Sequence, residues 1–165
     1  MKAVDKNDIA IVGMAAVMPK AENIKEYWNN LLNGVDCIGN MPEKRRKDIA
    51  DYVYFLGKEQ KFLQAGYVKN IDLFDNRFFN ITPKEAMLMS PIQRMFLETA
   101  YRAFYDAGYD KEKLNNSKTG VYVGYIGDNE GTVYRDMLRT LTDDFSSVAM
   151  SGNLSSITAG RVSYT

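Results

Sequence analysis

Histidine is absent from all 165 residues, and cysteine occurs once, as Cys37. Without histidine the chain holds no Ser–His or Cys–His nucleophile pair and no imidazole acid or base. The commonest zinc sites go with it, because one cysteine cannot build the alternatives, and no metal is expected. A single cysteine also excludes an internal disulfide framework and fits a reducing compartment. Net charge is missing too: 21 Lys and Arg are balanced by 21 Asp and Glu. Nothing in that balance recruits nucleic acid or an anionic membrane surface. The one basic run, Lys44–Lys47, is followed by Asp48 and Asp51 and reads as a solvated helix start. No stretch approaches the ~20 apolar residues of a membrane-spanning helix. At the N-terminus, Asp5 and Asp8 interrupt what would be the apolar core of a signal peptide. Together these absences predict a cytoplasmic protein without nucleic-acid or membrane partners.

Aromatic residues are plentiful: eleven Tyr and eight Phe argue against disorder. A single domain of this length buries roughly 68–70% of its unfolded surface, enough for a true core. Residues 8–14, DIAIVGM, are apolar at alternate and intervening positions, the pattern of a strand covered on both faces. TGVYVGYI at 119–126 repeats it. Asn23 with Glu26 three residues on resembles a capping box, opening a helix that Gly34 ends. A polar helix is expected around Arg45–Tyr54, with Gly57 and Gly66 in loops. Thr82-Pro83-Lys84-Glu85 and Ser90-Pro91-Ile92-Gln93 each combine a capping hydroxyl with proline at the first helical position. The second of these helices carries Ile92, Met95, Phe96, Thr99, Ala100, Ala103, Phe104 and Ala107 at helical spacing, and Gly108 stops it. A mostly helical stretch follows at 129–141. Asn153 is expected to cap a helix over Leu154–Gly160, with a strand beginning at Val162. Buried strands separated by amphipathic helices predict a layered α/β sandwich.

Few of these residues point to chemistry. Gly13 ends a strand, but Gly-Met-Ala-Ala-Val-Met lacks the G-x-G-x-x-G of a dinucleotide site, and no phosphate-binding G-x-x-x-x-G-K-[ST] occurs. Cys37 has no histidine to activate it and is read as a small apolar residue. Asp143-Asp144 and Glu22/Glu26 are read as caps or surface charges, and Met87, Met89 and Met95 as packing.

Three segments, in order, add a further clue. They are DIAIVGMAAVMP, then IDLFDNRFFNITPKEAMLMSPIQRMFLETAYRAFYDAGY at 71–109, then SGNLSSITAGRVSYT at 151–165. Together they resemble the N-terminal half of β-ketoacyl synthase domains of modular polyketide synthases, with features of the kind whose acyltransferase acts in trans. The family's usual acidic residue before the second proline is Ser90 here, and serine caps a helix as well as aspartate does. The resemblance implies an α/β fold, the N-terminal portion of a thiolase-like αβαβα sandwich. It implies decarboxylative Claisen condensation by a cysteine and two histidines, on acyl groups carried by the phosphopantetheine of an acyl carrier protein, in a homodimer. In the family that cysteine lies shortly beyond the segment matching GRVSYT, and Cys37 does not align with it. Residues 1–165 are therefore expected to form the N-terminal part of a ketosynthase domain, truncated before its nucleophile, inactive alone and binding no cofactor. Tyr125, Ile126, Ser151, Gly152 and Asn153 are the candidates to line the acyl channel or the dimer-side pocket. The chain's expected partners are the acyl carrier protein and the remainder of the ketosynthase domain; the alternative is a non-enzymatic half-domain or interaction module that completes its fold with a separate partner chain.

Overall fold

The computed structural model describes residues 7–57, 61–125, 128–141 and 147–164. Its helices are α1 (Ile24–Leu32), α2 (Glu43–Phe55), α3 (Pro83–Leu88), α4 (Pro91–Asp106), α5 (Lys111–Leu114), α6 (Asp128–Leu141), α7 (Ser147–Ser151) and α8 (Thr158–Tyr164), with a 3-10 turn at Ser155–Ile157. They fall into two compact units, one of residues 16–70 and one that joins the N-terminal 15 residues to 71–165.

In the 16–70 unit, α1 starts as its sequence predicts. Asn23 Oδ1 accepts from the Glu26 N–H at 2.9 Å, and Glu26 Oε2 accepts from the Glu22 N–H at 2.9 Å. Gly34 leaves the helix at φ +59°, a left-handed turn that glycine adopts without strain. Helix α2 matches the expected polar helix and has no side-chain cap. It is tied down instead by its arginines. Arg45 lies over the Tyr67 ring at 5.8 Å and donates to Val68 O, while Arg46 lies over Phe62 at 5.5 Å. Hydrophobic burial contributes little here, since Ala21 is the one buried apolar residue among those described in this unit.

The second unit holds the core. Phe74 and Phe79 stack at 5.2 Å, and Phe79 packs on the cluster of Ile81, Ala86, Met89 and Leu97. Thr82 Oγ1 and Ser90 Oγ accept from the third helical N–H of α3 and α4, with Pro83 and Pro91 at N1, as the two cap motifs predict. The expected apolar face of α4, from Ile92 to Ala107, is only half-buried, whereas Gln93 and Leu97 point into the core. The spacing located an apolar stripe correctly, but the core lies on the neighbouring face.

The two expected strands differ most. Residues 8–14 and 119–125 form no strand, and Ile126 lies outside the described residues. Among the described residues the only β-pairings are isolated bridges, Met18 with Ala21 and Gly39 with Ala65. A strand needs a neighbour to accept its ladder at about 4.8 Å, and neither apolar segment has one. Ile9 is consequently 96% exposed and Tyr122 95% exposed. The nascent strand expected at Val162 is also absent, because α8 continues to Tyr164.

Segment 8–14 is nevertheless docked at one end. The Met14 N–H donates to Asp106 Oδ2 at 2.9 Å, and Gly13 lies so close to α4 that an added Cβ would sit 2.7 Å from Ala107 Cβ and collide with Ala103 O. Gly13→Ala is therefore expected to lower stability by about 1–3 kcal/mol through overpacking. Gly160→Ala, with nothing within 4 Å of the new methyl, is expected to be neutral or to stabilise by about 0.5–1 kcal/mol. Urea titration of both variants checks the contrast. A second expectation concerns acid. The Glu22 N–H first, then the Asn23 amide, hold the Glu26 carboxyl below its ordinary range. A carboxyl whose folded pKa is lowered adds stability above its unfolded pKa, which is lost as pH falls through the folded value. The α1 cap should weaken below pH ~4, and Glu26→Gln should remove that acid dependence, as read by amide shifts of residues 22–26.

Candidate functional site

The most heavily buried polar groups gather where α3 meets α4. Leu88, Met89 and Ser90 are all buried there, and the turn after α7, residues 151–154, lies against them. Gly152 allows the approach: a Cβ on it would sit 3.0 Å from Met89 Cα and 3.3 Å from Leu88 O. That spacing lets the Ser90 N–H donate to Gly152 O at 2.9 Å. Asn153, 8% exposed, donates from Nδ2 to Leu88 O at 2.8 Å and to Ala149 O at 2.6 Å. Gln93, 3% exposed, donates from Nε2 to Leu154 O at 2.9 Å and more weakly to Ser151 O at 3.5 Å.

An ion pair lies beside this lattice. Arg161 on α8 reaches Glu85 Oε1 on α3 at 2.8 Å, with side chains 13% and 27% exposed, and its other amino group meets Ser151 Oγ at 3.4 Å. From α6, the Tyr134 hydroxyl donates to Met87 O at 2.9 Å. Burial raises the Tyr134 pKa, and the Arg94 charge opposes the rise. With Leu88, Leu138 and Ala149 packed around Tyr134, α6 and α7 are held against the end of α3.

Of the five candidate residues, Ser151, Gly152 and Asn153 come together in this turn. Tyr125 is half-buried at the end of the 119–125 segment, and Ile126 lies outside the described residues. Asn153 does not cap a helix. A cap needs its side-chain oxygen to accept, whereas this amide spends both hydrogens on carbonyls of other segments, and Leu154 stands at the cap of the 3-10 turn instead. Sequence reasoning named Glu85 and Gln93 only as the third helical residues of the two cap motifs, and gave Arg161 no role. Gln93 carried a signal in retrospect, a polar side chain one position from the apolar stripe of α4. Glu85 and Arg161 are 76 residues apart and carried none.

Chemically the arrangement orients backbone, through the Asn153 and Gln93 amides on carbonyls of neighbouring segments. Cys37 is half-buried and makes one long contact, Sγ to Val35 O at 3.5 Å. Among the described residues no group of three His, Cys, Asp or Glu side chains could hold a metal ion, and no helix is long and apolar enough to cross a membrane.

Comparison with known proteins gives this framework a place. The ketosynthase from module 6 of the bacillaene synthase of Bacillus subtilis 168 superimposes with a TM-score of 0.70 at 37% identity, over 94% of this chain and 24% of that one. The oxazolomycin ketosynthase domain of Streptomyces albus JA3453 superimposes at 0.67 with 30% identity, over 93% and 26%. The fold is thus the N-terminal portion of a thiolase-like ketosynthase. The model of the β-ketoacyl synthase N-terminal domain matches residues 6–165, and the chain belongs to that family. Polyketide synthase PksL of Bacillus subtilis is 38% identical over 158 residues, which are 94% of this chain and 3% of that protein. The pikromycin synthase component PikAII of Streptomyces venezuelae is 35% identical over 98% of this chain and 4% of its own length. The chain thus spans a small fraction of the relatives it matches, and its family is one of condensing, transferase-type enzymes.

If the 151–154 turn is held chiefly by the Asn153 amide, Asn153→Ala strands the Leu88 and Ala149 carbonyls in a buried site. A loss of about 1–3 kcal/mol per unpaired group is expected, and it should appear as a lowered urea midpoint with an unchanged m-value.

Proposed function

We propose that residues 1–165 are the N-terminal part of a polyketide synthase ketosynthase, of the kind served by an acyltransferase in trans. The observation that carries this is the match to a bacillaene ketosynthase at 37% identity over 94% of the chain. Relatives from the bacillaene synthase favour the trans-acting subtype. In the whole domain, a cysteine thiolate attacks the acyl thioester and releases the phosphopantetheine thiol of an acyl carrier protein. Loss of CO2 from a carrier-bound malonyl group then gives an enolate, which attacks the acyl-cysteine, forms the new C–C bond and frees the thiolate. Two histidines assist decarboxylation and hold the enolate oxygen, in a site where aimed donors stabilise developing charge.

None of those three residues is among these 165: there is no histidine, and the one cysteine, Cys37, does not align with the family's nucleophile. The chain alone is therefore inactive and binds no cofactor of its own. Its partners are the remainder of the ketosynthase, the acyl carrier protein and a second copy of the domain, in the cytoplasm. Tyr125, Ile126, Ser151, Gly152 and Asn153 are the residues we propose to line its acyl channel or dimer-side pocket.

A second reading, a non-enzymatic half-domain, draws on the bare apolar segments 8–14 and 119–125. Such segments are templates for strand addition. Under either reading they accept strands of another segment. One experiment separates the two. Purified 1–165 and the intact ketosynthase domain are incubated with an acyl-N-acetylcysteamine thioester and followed by intact-mass spectrometry. The intact domain should gain one acyl group while 1–165 gains none. Acylation of Cys37 in 1–165 would overturn the proposal, and an intact domain that takes no acyl group would favour the half-domain reading.

A further inference from the structure

Helix α8 is too short to orient itself. Seven residues fall below the length at which a helix is stable in water, and Thr158, Gly160, Val162 and Ser163 are poor helix formers. Its direction must come from its attachments: Val162 packs against the Ile81, Ala86, Met89 and Leu97 cluster, and the remaining ties are specific polar ones. The turn that leads into it is bonded at every residue from 151 to 154. Gly152 O accepts from the Ser90 N–H, Asn153 Nδ2 bridges two carbonyls, and Gln93 Nε2 reaches Leu154 O at 2.9 Å. Ser151 Oγ and Glu85 Oε1 both meet the Arg161 guanidinium, which fixes the helix at its middle. An apolar contact would tolerate sliding or rotation of so short a helix. Arg161 instead makes two directional contacts, Nη1 on Glu85 Oε1 and Nη2 toward Ser151 Oγ, which together resist both.

We propose that Asn153 and the Glu85–Arg161 pair are positioning residues that aim α8, and so set the geometry of the nucleophile turn that follows it in the intact ketosynthase. This rests on the ketosynthase assignment above and gives these residues a role in positioning rather than in contact with the reacting atoms. Asn153 fixes where the helix begins, and Glu85 fixes its rotation through Arg161. A displacement of the sulfur by about 1 Å is enough to cost on the order of a hundredfold in rate.

The test uses the intact ketosynthase domain with Glu85→Gln and Asn153→Asp. Glu85→Gln keeps the size and an accepting oxygen but removes the charge. Asn153→Asp replaces the bridging donor with an oxygen facing two carbonyls. Acylation by an acyl-N-acetylcysteamine thioester is measured for kcat and KM, alongside thermal midpoints. Glu85→Gln is expected to lower kcat by ten- to about a hundredfold, with KM within about twofold and the domain still folded at the assay temperature. Asn153→Asp should show the same split at temperatures where it remains folded. If kcat is unchanged in Glu85→Gln, the positioning role is overturned. It is also overturned if activity falls only with the folded fraction and returns on cooling. If the unsubstituted domain takes no acyl group, the ketosynthase assignment itself fails and this inference with it.

Discussion

The Asn153 side chain joins two carbonyls from different parts of the chain, Leu88 at the end of α3 and Ala149 in α7. The rest of the larger unit is arranged around that bridge. The amide is nearly buried, so leaving either carbonyl without a donor would cost about 1–3 kcal/mol. To reach both at once, the turn must come within van der Waals distance of Met89, which only Gly152 permits. The close approach in turn sets the Ser90 N–H on Gly152 O and the Gln93 amide on Leu154 O. One residue without a side chain and three polar ones therefore fix where the end of the chain lies against α3 and α4.

The hydrophobic cluster alone would not give that precision. Ile81, Ala86, Met89 and Leu97 form a small core, and methionine adapts to irregular gaps without specifying one packing. Polar bonds with two-sided geometry supply what the apolar contacts leave open. The 16–70 unit shows the same economy with different groups, because arginines lying over Tyr67 and Phe62 hold α2 where little apolar burial does. Such cation–π contacts contribute about 0.5–1 kcal/mol each at exposed sites, which makes this unit the weaker of the two.

Local chemistry was legible in the sequence, and pairing was not. The caps at Asn23, Thr82 and Ser90, the prolines at N1 and the glycine stop at Gly34 act within a few residues, and each appears as its pattern predicts. The strand patterns at 8–14 and 119–126 describe side chains suited to a buried sheet, but a pattern does not supply the neighbouring strand. Asn153 misled for a related reason. In sequence it precedes a helix and looks like a cap, while its real partners stand four residues back and 65 residues away. The ketosynthase resemblance came from whole segments in order, which retain information that single residues lose.

The exposed apolar surface and the polar clamp have a common logic. Segments 8–14 and 119–125 form no strand and leave side chains such as Ile9 and Tyr122 in water. Gly13 and Met14 dock against the C-terminal end of α4, whose stripe from Ile92 to Ala107 is half-buried. On the neighbouring face α4 is sealed by Leu97 and Gln93 against the clamp. Helix α4 is therefore held along one face by the packing of Leu97 and Gln93 and at its C-terminal end by Gly13 and Met14.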